Sequence, residues 1–165
     1  MEVMQSQIVD VVQRMKQITL VMKTPEKVLE SQGVTQDIEG SLDKLQEHVE
    51  SIDMANDLHL IGRLVPLLDY LRNLHANIRA KAAEVVTTII QSNPKSQQLV
   101  MEATGLEPLL SNFASDPHVV VHTKALGAIS SLIMHNKAGV AAFRLANGYV
   151  ALRDALSSEN ARSQR

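Results

Sequence analysis

Two histidines that lie four residues apart, His118 and His122, have the spacing in this chain that best suits metal chemistry. On an α-helix this spacing places both imidazoles on one face, where they could bind zinc. No HExxH motif accompanies them, and no third ligand is suggested nearby. We therefore expect no metal site and no other cofactor. His122 is instead interpreted as a substitute for an arginine. The chain contains an internal repeat, described below, and the other two copies carry Arg79 and Arg165 at this position.

Motifs for catalysis are absent from the sequence. It contains no P-loop, no GxGxxG and no GxSxG. It also contains no cysteine, which excludes a thiolate nucleophile, a disulfide framework and a cysteine-based zinc site. Aromatic residues make up only 2% of the chain, whereas the pockets of enzymes usually have more aromatic lining. We expect a protein that is not an enzyme.

Charge and hydropathy narrow the classes of partner. The 165 residues carry 16 basic and 18 acidic side chains, and this balance argues against a nucleic-acid partner, which requires a basic surface. No apolar run approaches the roughly 20 residues that span a bilayer, so we expect no membrane insertion. The first residues, MEVMQSQIVD, lack the basic and apolar regions of a secretory signal.

A repeat of 42 to 43 residues organises the chain. LVPLL (64–68) aligns with LEPLL (106–110), and NIRAKAAEVVTTIIQSN (77–93) aligns with VVHTKALGAISSLIMHN (120–136). A third, incomplete copy matches YVALRDALSSENARSQR (149–165) to LEPLLSNFASDPHVVVH (106–122). A helical repeat of this length is typical of HEAT and armadillo arrays.

Each copy predicts a short first helix, a second helix with a proline near its start, and a long third helix after a loop. The short helices are expected to end at Gly105 and Gly148, in the left-handed conformation that glycine favours. Three helices per copy favour an all-α, armadillo-like right-handed solenoid over the two-helix HEAT form. The expected units are N-terminal capping helices over 1–37, a degenerate first repeat over 38–63, armadillo repeats over 64–105 and 106–148, and an incomplete repeat over 149–165.

Upstream of the repeats, apolar residues recur every three or four positions, as on one helix face: Ile38, Leu42, Leu45, Val49 and Ile52. We expect Asp53 to cap the next helix and Gly33 to end a preceding short one. The incomplete third copy lacks its long helix. An exposed apolar patch is therefore expected where that helix would pack.

Pairs of hydroxyl residues, Thr87-Thr88 and Ser130-Ser131, occupy equivalent positions in the long third helices. On a helical wheel they lie opposite the apolar face, on the side that lines the inner concave surface of an armadillo solenoid. Short side chains there would let another protein approach closely. The alternative is that they are merely tolerated on a solvated helix, bonded to the carbonyl four residues back. The predicted partner-binding residues are Glu84, Thr87, Thr88, Gln91, Gly127, Ser130, Ser131 and Met134.

Consecutive residues carry a resemblance to a known family, notably HVESIDMANDLHLIGRLVPLL (48–68), FRLANGY (143–149) and LRDALSSEN (152–160). These resemble the armadillo-type nucleotide exchange factors of heat-shock-protein-70 chaperones, the Fes-type and chaperone-binding-protein group, and are most similar to plant cytosolic members. The resemblance implies a cytoplasmic co-chaperone of protein folding and the stress response. In this family the solenoid embraces one lobe of the chaperone's nucleotide-binding domain and displaces the other, so that ADP leaves.

Two further expectations follow from the same resemblance. The family domain has more repeats after the position of residue 165 and a segment before the position of residue 1. This implies a chain truncated at both ends that binds weakly and exchanges nucleotide poorly.

The competing interpretation is a general armadillo adaptor for extended peptides, without exchange activity. Grooves of that kind rely on repeated Trp and Asn, whereas this chain has no Trp and carries Thr88 and Ser131 at the expected Asn positions.

Overall fold

The computed structural model describes residues 32–60 and 62–163, and the regular structure within these ranges is helical throughout. The predicted capping helices before residue 32 lie outside the described residues. A 3-10 turn, Tyr70–Arg72, directly follows the helix Leu64–Asp69. The helices are α1 (Gln32–His48), α2 (Ile52–Leu60), α3 (Leu64–Asp69), α4 (Ala76–Ile90), α5 (Pro94–Glu102), α6 (Leu106–Ser115), α7 (Val119–Ile133), α8 (Lys137–Leu145) and α9 (Gly148–Ser163).

Three of these helices, α1, α4 and α7, are the long third helices of successive copies, and they pack side by side with α4 in the middle. The second helices lie behind them, with α6 against α7 and α9 against α6. The short helices α2 and α5 contact α4, and α8 contacts α7. The prediction of an all-α fold of three-helix repeats is confirmed.

Burial of branched aliphatic side chains holds this stack together. The apolar face predicted for α4 is buried throughout, with Ile78, Val86 and Ile90 fully excluded from solvent. Burying one such side chain contributes about 1.5–3 kcal/mol. Ala80 and Ala83, which the helical wheel did not assign to the core, are buried as well, because α7 packs against this side of α4. Small alanines at these positions let the two helices approach closely.

Side chains cap the short first helices at equivalent positions. Asn93 accepts a hydrogen bond from the amide of Ser96 (3.3 Å), and Asn136 accepts one from the amide of Gly139 (3.2 Å). At α2 the cap is the Ser51 hydroxyl, which accepts from the Met54 amide, so the prediction that Asp53 caps this helix is wrong. Asp53 lies in the first turn instead, where its negative charge suits the positive end of the helix dipole.

The junction between the short and second helices repeats with the same backbone geometry. Gly62, Thr104 and Asn147 occupy the left-handed region, with φ of 70°, 58° and 60°. The prediction that Gly105 and Gly148 would take this conformation is wrong, since Gly105 has φ −71° and the left-handed residue precedes each glycine.

Close packing explains the two glycines of these junctions. A Cβ atom at Gly105 would lie 2.6 Å from Val100 Cγ1, and one at Gly148 would lie 2.4 Å from the Phe143 ring. Both distances are shorter than Cβ contacts in real structures, so a side chain at either glycine would force its neighbour to shift. These glycines therefore let the second helix start directly against the preceding short helix.

Three helix boundaries differ from the sequence expectation. Gly33 lies within α1 rather than ending a helix, and Ile52 belongs to α2, where it is exposed instead of joining the apolar face of α1. At the other end, α9 continues to Ser163, past Glu159, which aligns with the loop residue Asp116. The third copy has no proline after this position, and helix-forming residues continue the helix.

Within the described ranges, no helix combines the length and hydropathy needed to cross a membrane.

Candidate partner-binding face

The outward side of α1, α4 and α7, called here the third-helix face, contains the predicted binding residues. None of the eight is buried: Glu84, Thr87, Thr88 and Ser131 are partly exposed, and Gln91, Gly127, Ser130 and Met134 are exposed. Gln91 and Met134 lie just beyond the carboxyl ends of α4 and α7, so they border the face at the helix ends.

Polar contacts join α1 to α4 on this face. The side-chain amide of Gln46 donates to Thr88 Oγ1 at 3.2 Å and to Glu84 Oε1 at 3.4 Å. Lys81 forms ion pairs with Asp43 of α1 and, at 3.5 Å, with Glu84. The side chains of two neighbouring repeats therefore meet on one surface.

A further contact extends this network to α7, because Lys124 Nζ lies 3.7 Å from Glu84 Oε2. The resulting polar ladder consists of Asp43, Gln46, Lys81, Glu84, Thr88 and Lys124. Sequence reasoning identified only two of these residues. A signal for two more was present, because Lys81 and Lys124 occupy equivalent positions in the two copies. Asp43 and Gln46 lie in the degenerate copy, where no alignment could mark them.

The ladder fixes the charge of its central lysine. Partial burial by itself would lower the pKa of Lys81, but hydrogen bonds and charges from Asp43 and Glu84 outweigh that effect and raise the pKa above its ordinary value. Lys81 therefore stays protonated across the physiological range. This half of the face is polar, and its groups are already engaged with one another.

The threonine hydroxyls are partly used within their own helix. Thr87 Oγ1 donates to the Ala83 carbonyl at 2.9 Å, and Thr88 Oγ1 donates to the Glu84 carbonyl at 3.2 Å. These are the bonds to the carbonyl four residues back that the alternative interpretation anticipated. The threonine hydroxyls therefore face a partner mainly as acceptors and through their methyl groups.

The α7 half of the face is more open. A Cβ atom added at Gly127 would meet nothing within 4 Å, Ser130 is exposed, and Met134 is 58% exposed. Since these side chains are short or flexible, a protein surface could approach the backbone of α7 closely.

A residue that the sequence did not suggest holds the carboxyl end of α7 in place. Gln97 of α5 is buried, and its amide donates to the carbonyls of Ser131 (2.8 Å) and Met134 (3.1 Å). These carbonyls belong to the last turn, where a helix leaves acceptors unpaired. Gln97 thereby positions two of the predicted binding residues from a different helix, α5.

The two histidines that opened the question of metal binding have separate partners. His122 Nδ1 lies 2.6 Å from the Phe113 carbonyl oxygen, and His118 Nδ1 lies 3.3 Å from Asp116 Oδ1. Among the residues that the structure describes, no group of three or more potential ligands is placed to hold a metal ion.

Comparison with protein families decides which group these repeats represent. The model of the "SIL1/FES1/HPBP1 C-terminal domain" matches residues 54–165, and that of "Nucleotide exchange factor Fes1" matches residues 1–58. The chain belongs to the SIL1/FES1/HPBP1 family. The resemblance inferred from consecutive residues of the sequence is thereby confirmed.

Curated relatives with similar sequences carry the name "Hsp70 nucleotide exchange factor". The protein from Yarrowia lipolytica is 34% identical over 142 residues, which are 84% of this chain and 48% of the relative. The protein from Kluyveromyces lactis is 30% identical over 151 residues, or 89% of this chain and 50% of the relative. The one from Schizosaccharomyces pombe is 36% identical over 101 residues, or 61% and 35%. The chain therefore spans half or less of these relatives.

Solved structures with a similar fold include two designed armadillo repeat proteins. One, in complex with the peptide (KR)4, has a TM-score of 0.59 at 22% identity, and the matched part is 70% of this chain and 45% of the designed chain. Another has a TM-score of 0.60 at 21% identity, with coverages of 76% and 52%. At this identity the likeness shows the armadillo fold alone.

Proposed function

We propose that this chain is a cytoplasmic co-chaperone that binds the nucleotide-binding domain of a heat-shock-protein-70 chaperone and promotes the release of ADP. The observation that carries this proposal is that the two family models together extend over the whole chain. The names of the relatives from Yarrowia lipolytica and Kluyveromyces lactis support the same partner and activity.

The mechanism requires a difference in affinity and no covalent step. A protein that binds the open form of the chaperone more tightly than the ADP-closed form shifts the equilibrium toward the open form, from which ADP dissociates. A shift from mostly closed to mostly open requires a preference of about 10⁴-fold. We assign no catalytic residue, because binding energy alone opens the cleft.

The third-helix face offers two kinds of contact for such a partner. The open α7 half, with Gly127, Ser130 and Met134, suits close apolar and backbone contact. The polar ladder around Glu84 and Lys124 suits a rim that fixes orientation, because its groups already satisfy one another. We propose that the α7 half supplies most of the binding energy.

The experiment is stopped-flow release of a fluorescent ADP analogue from an Hsp70 nucleotide-binding domain, with and without the chain. The informative variant is Ser130→Arg, because this residue is exposed at the centre of the α7 half. Its matched control is Ser111→Arg, an exposed serine of α6 that lies outside the third-helix face. Ser130→Arg is preferable to Thr88→Arg, since Thr88 is hydrogen-bonded to Gln46.

The proposal expects faster ADP release that Ser130→Arg reduces at least about tenfold and that Ser111→Arg leaves unchanged. Binding in a parallel pull-down without faster release would overturn the exchange activity and favour the adaptor interpretation. If the chain neither binds the nucleotide-binding domain nor accelerates ADP release, the proposed Hsp70 partner is wrong as well as the exchange activity.

A further inference from the structure

Lys81 and Lys124 occupy equivalent positions in α4 and α7, but their ammonium groups are held differently. Lys81 forms ion pairs with an acid of the preceding third helix, Asp43, and with an acid three residues further along its own helix, Glu84. Lys124 also lies near an acid of the preceding third helix, again Glu84, at 3.7 Å. On its own helix, however, the counterpart of Glu84 is Gly127, which supplies no carboxylate. In the described structure, Lys124 therefore has one of the two kinds of acid that Lys81 has.

The ammonium group of Lys124 keeps donors for a further partner. Its distance of 3.7 Å to Glu84 Oε2 suits an ion pair but exceeds that of a hydrogen bond. Glu84 is also shared, because it accepts from Gln46 at 3.4 Å and from Lys81 at 3.5 Å. The side chain of Lys124 is 41% exposed, whereas that of Lys81 is 22% exposed. Since an ammonium group has three donors, Lys124 is the more available of the two lysines of the polar ladder.

The position of the missing acid is open on the third-helix face. A Cβ atom added at Gly127 would meet nothing within 4 Å. An acceptor placed there would lie beside Lys124, three residues before it, and Ser131, four residues after it, because both spacings bring side chains to the same helix face. Both of these side chains can donate hydrogen bonds. The position therefore suits a carboxylate that comes from another molecule.

A further repeat beside α7 would leave this position accessible, as the preceding copy shows. There α7 packs against α4, yet the side chain of Glu84 stays 34% exposed, and Thr87 and Thr88 stay partly exposed. The third-helix face lies next to the interface between neighbouring third helices and is not covered by it. The open position at Gly127 is therefore independent of where the chain ends.

We propose that Lys124 binds a carboxylate side chain, Asp or Glu, of the protein partner, in the gap that Gly127 leaves on the third-helix face. This inference rests on the proposed function, because it names the chemistry by which the chaperone's nucleotide-binding domain is held. The partner's acid takes the place beside Lys124 that Glu84 takes beside Lys81. Close charge pairs inside an interface show coupling of roughly tenfold or more in affinity, whereas exposed pairs on a free surface contribute little.

The first test measures binding of the whole chain to a nucleotide-free Hsp70 nucleotide-binding domain by isothermal titration calorimetry. The variant is Lys124→Met, which keeps an unbranched apolar side chain and removes the charge. Its matched control is Lys95→Met, at an exposed lysine of α5 outside the third-helix face. Lys124→Met should weaken binding at least about tenfold, and Lys95→Met should change it by less than about twofold. Both variants should unfold at nearly the temperature of the unaltered chain, since exposed ion pairs contribute little to stability.

A second pair of variants separates charge from bulk at one position. Gly127→Glu places an acid three residues after Lys124, as Glu84 stands relative to Lys81, and so engages the ammonium from within the chain. Gly127→Gln adds a side chain of nearly the same size without the charge. We expect Gly127→Glu to weaken binding at least about fivefold more than Gly127→Gln does. Equal losses would show that the gap provides space and not a place for a partner's acid.

A charge exchange tests the source of the carboxylate. Lys124→Glu should weaken binding more than Lys124→Met does, because it sets two acids against each other. Replacement of one exposed Asp or Glu of the nucleotide-binding domain by Lys should then restore binding at least about tenfold. A scan of these acids that finds no such rescue would overturn the assignment to a side chain of the partner.

The results of the first test also separate this inference from the proposed function. If the unaltered chain does not bind the nucleotide-binding domain, both are wrong. If the chain binds and Lys124→Met weakens binding no more than Lys95→Met does, the partner stands and the carboxylate site alone is overturned.

Discussion

Arg79 of α4 and Asp116, which precedes α7, form an ion pair between neighbouring repeats, with 2.7 Å between Nε and Oδ2. The guanidinium also donates to the Asn73 carbonyl at 2.8 Å. Asn73 and Asp116 occupy equivalent positions, and each accepts a hydrogen bond from the backbone amide two residues on. Arg79 therefore joins the two turns that lead into successive third helices.

This pair predicts a loss of stability in acid. Burial alone would raise the pKa of Asp116, but the hydrogen bond and charge of Arg79 and the amide of His118 hold it below its ordinary value of 3.8. A carboxyl with a lowered pKa in the folded state stabilises the fold above its unfolded pKa. That contribution falls away as the pH drops below about 4, through the folded pKa.

Asp116→Asn should remove this contribution and cost about 1.5–3 kcal/mol at neutral pH, the range for a hydrogen bond to a charged group. The free energy of unfolding from urea titrations at several pH values measures it, and the variant should show a weaker dependence below pH 4. Asp69→Asn, an exposed carboxylate of α3, serves as the control and should change stability by less than about 0.5 kcal/mol. An equal loss in both variants would contradict the assignment.

The sequence was sufficient to predict the repeat and the buried face of each third helix, because the hydrophobic periodicity of a helix directly encodes its core side. Burial of Ala80 and Ala83 could not be read from a single wheel, since the neighbouring copy covers them. A similar limit applies to Gln97, whose partners Ser131 and Met134 lie at the end of another helix, 34 and 37 residues further along the chain. Contacts between copies need the geometry of the stack as well as the pattern within one copy.

The alignment of the repeats contains the information that Gly62 differs from the later junction glycines, Gly105 and Gly148. The alignment of Leu64 with Leu106 already places Gly62 opposite Thr104 and Arg63 opposite Gly105. Only Gly62 shares the left-handed position, so the later glycines required another explanation, which is close packing. The eight residues of the predicted binding site remain a prediction, and the structure shows only that none of them is buried.

The hydrogen bonds from Gln97 make the second prediction. Gln97→Val, which introduces the residue type found at the equivalent Val140, should leave the carbonyls of Ser131 and Met134 without their buried donor. The expected cost is about 1–3 kcal/mol in the free energy of unfolding. Gln98→Val is the matched control, because Gln98 is exposed and its side-chain amide donates to Glu102 within α5. A loss no larger than that of the control would show that solvent replaces the Gln97 bonds.

Replacing glycine by alanine should have opposite effects on stability at Gly148 and at Gly127. Gly148→Ala should destabilise the chain by about 1–3 kcal/mol, since the new methyl group would overlap the Phe143 ring. Gly127→Ala should stabilise it by about 0.5–1 kcal/mol, because this position lies within α7 and has open space around it. Thermal unfolding of the two variants under identical conditions measures both effects. Effects of the same sign would disprove the packing explanation.

The left-handed junction residues give the last prediction. Thr104 is β-branched and holds φ at 58°, a conformation that costs a non-glycine residue roughly 1–3 kcal/mol. Thr104→Gly relieves this strain but also increases the freedom of the unfolded chain, which offsets about 0.4–1 kcal/mol. We therefore expect a net stabilisation of about 1 kcal/mol in urea unfolding.

Asn147 provides the comparison for this substitution. Its φ of 60° is nearly the same, but asparagine tolerates the left-handed region better than threonine does. Asn147→Gly should therefore gain less stability than Thr104→Gly, or none. If the asparagine variant gained more, side-chain strain at Thr104 would not be the source of the effect, and the two junctions would differ in a way that their shared backbone geometry does not explain.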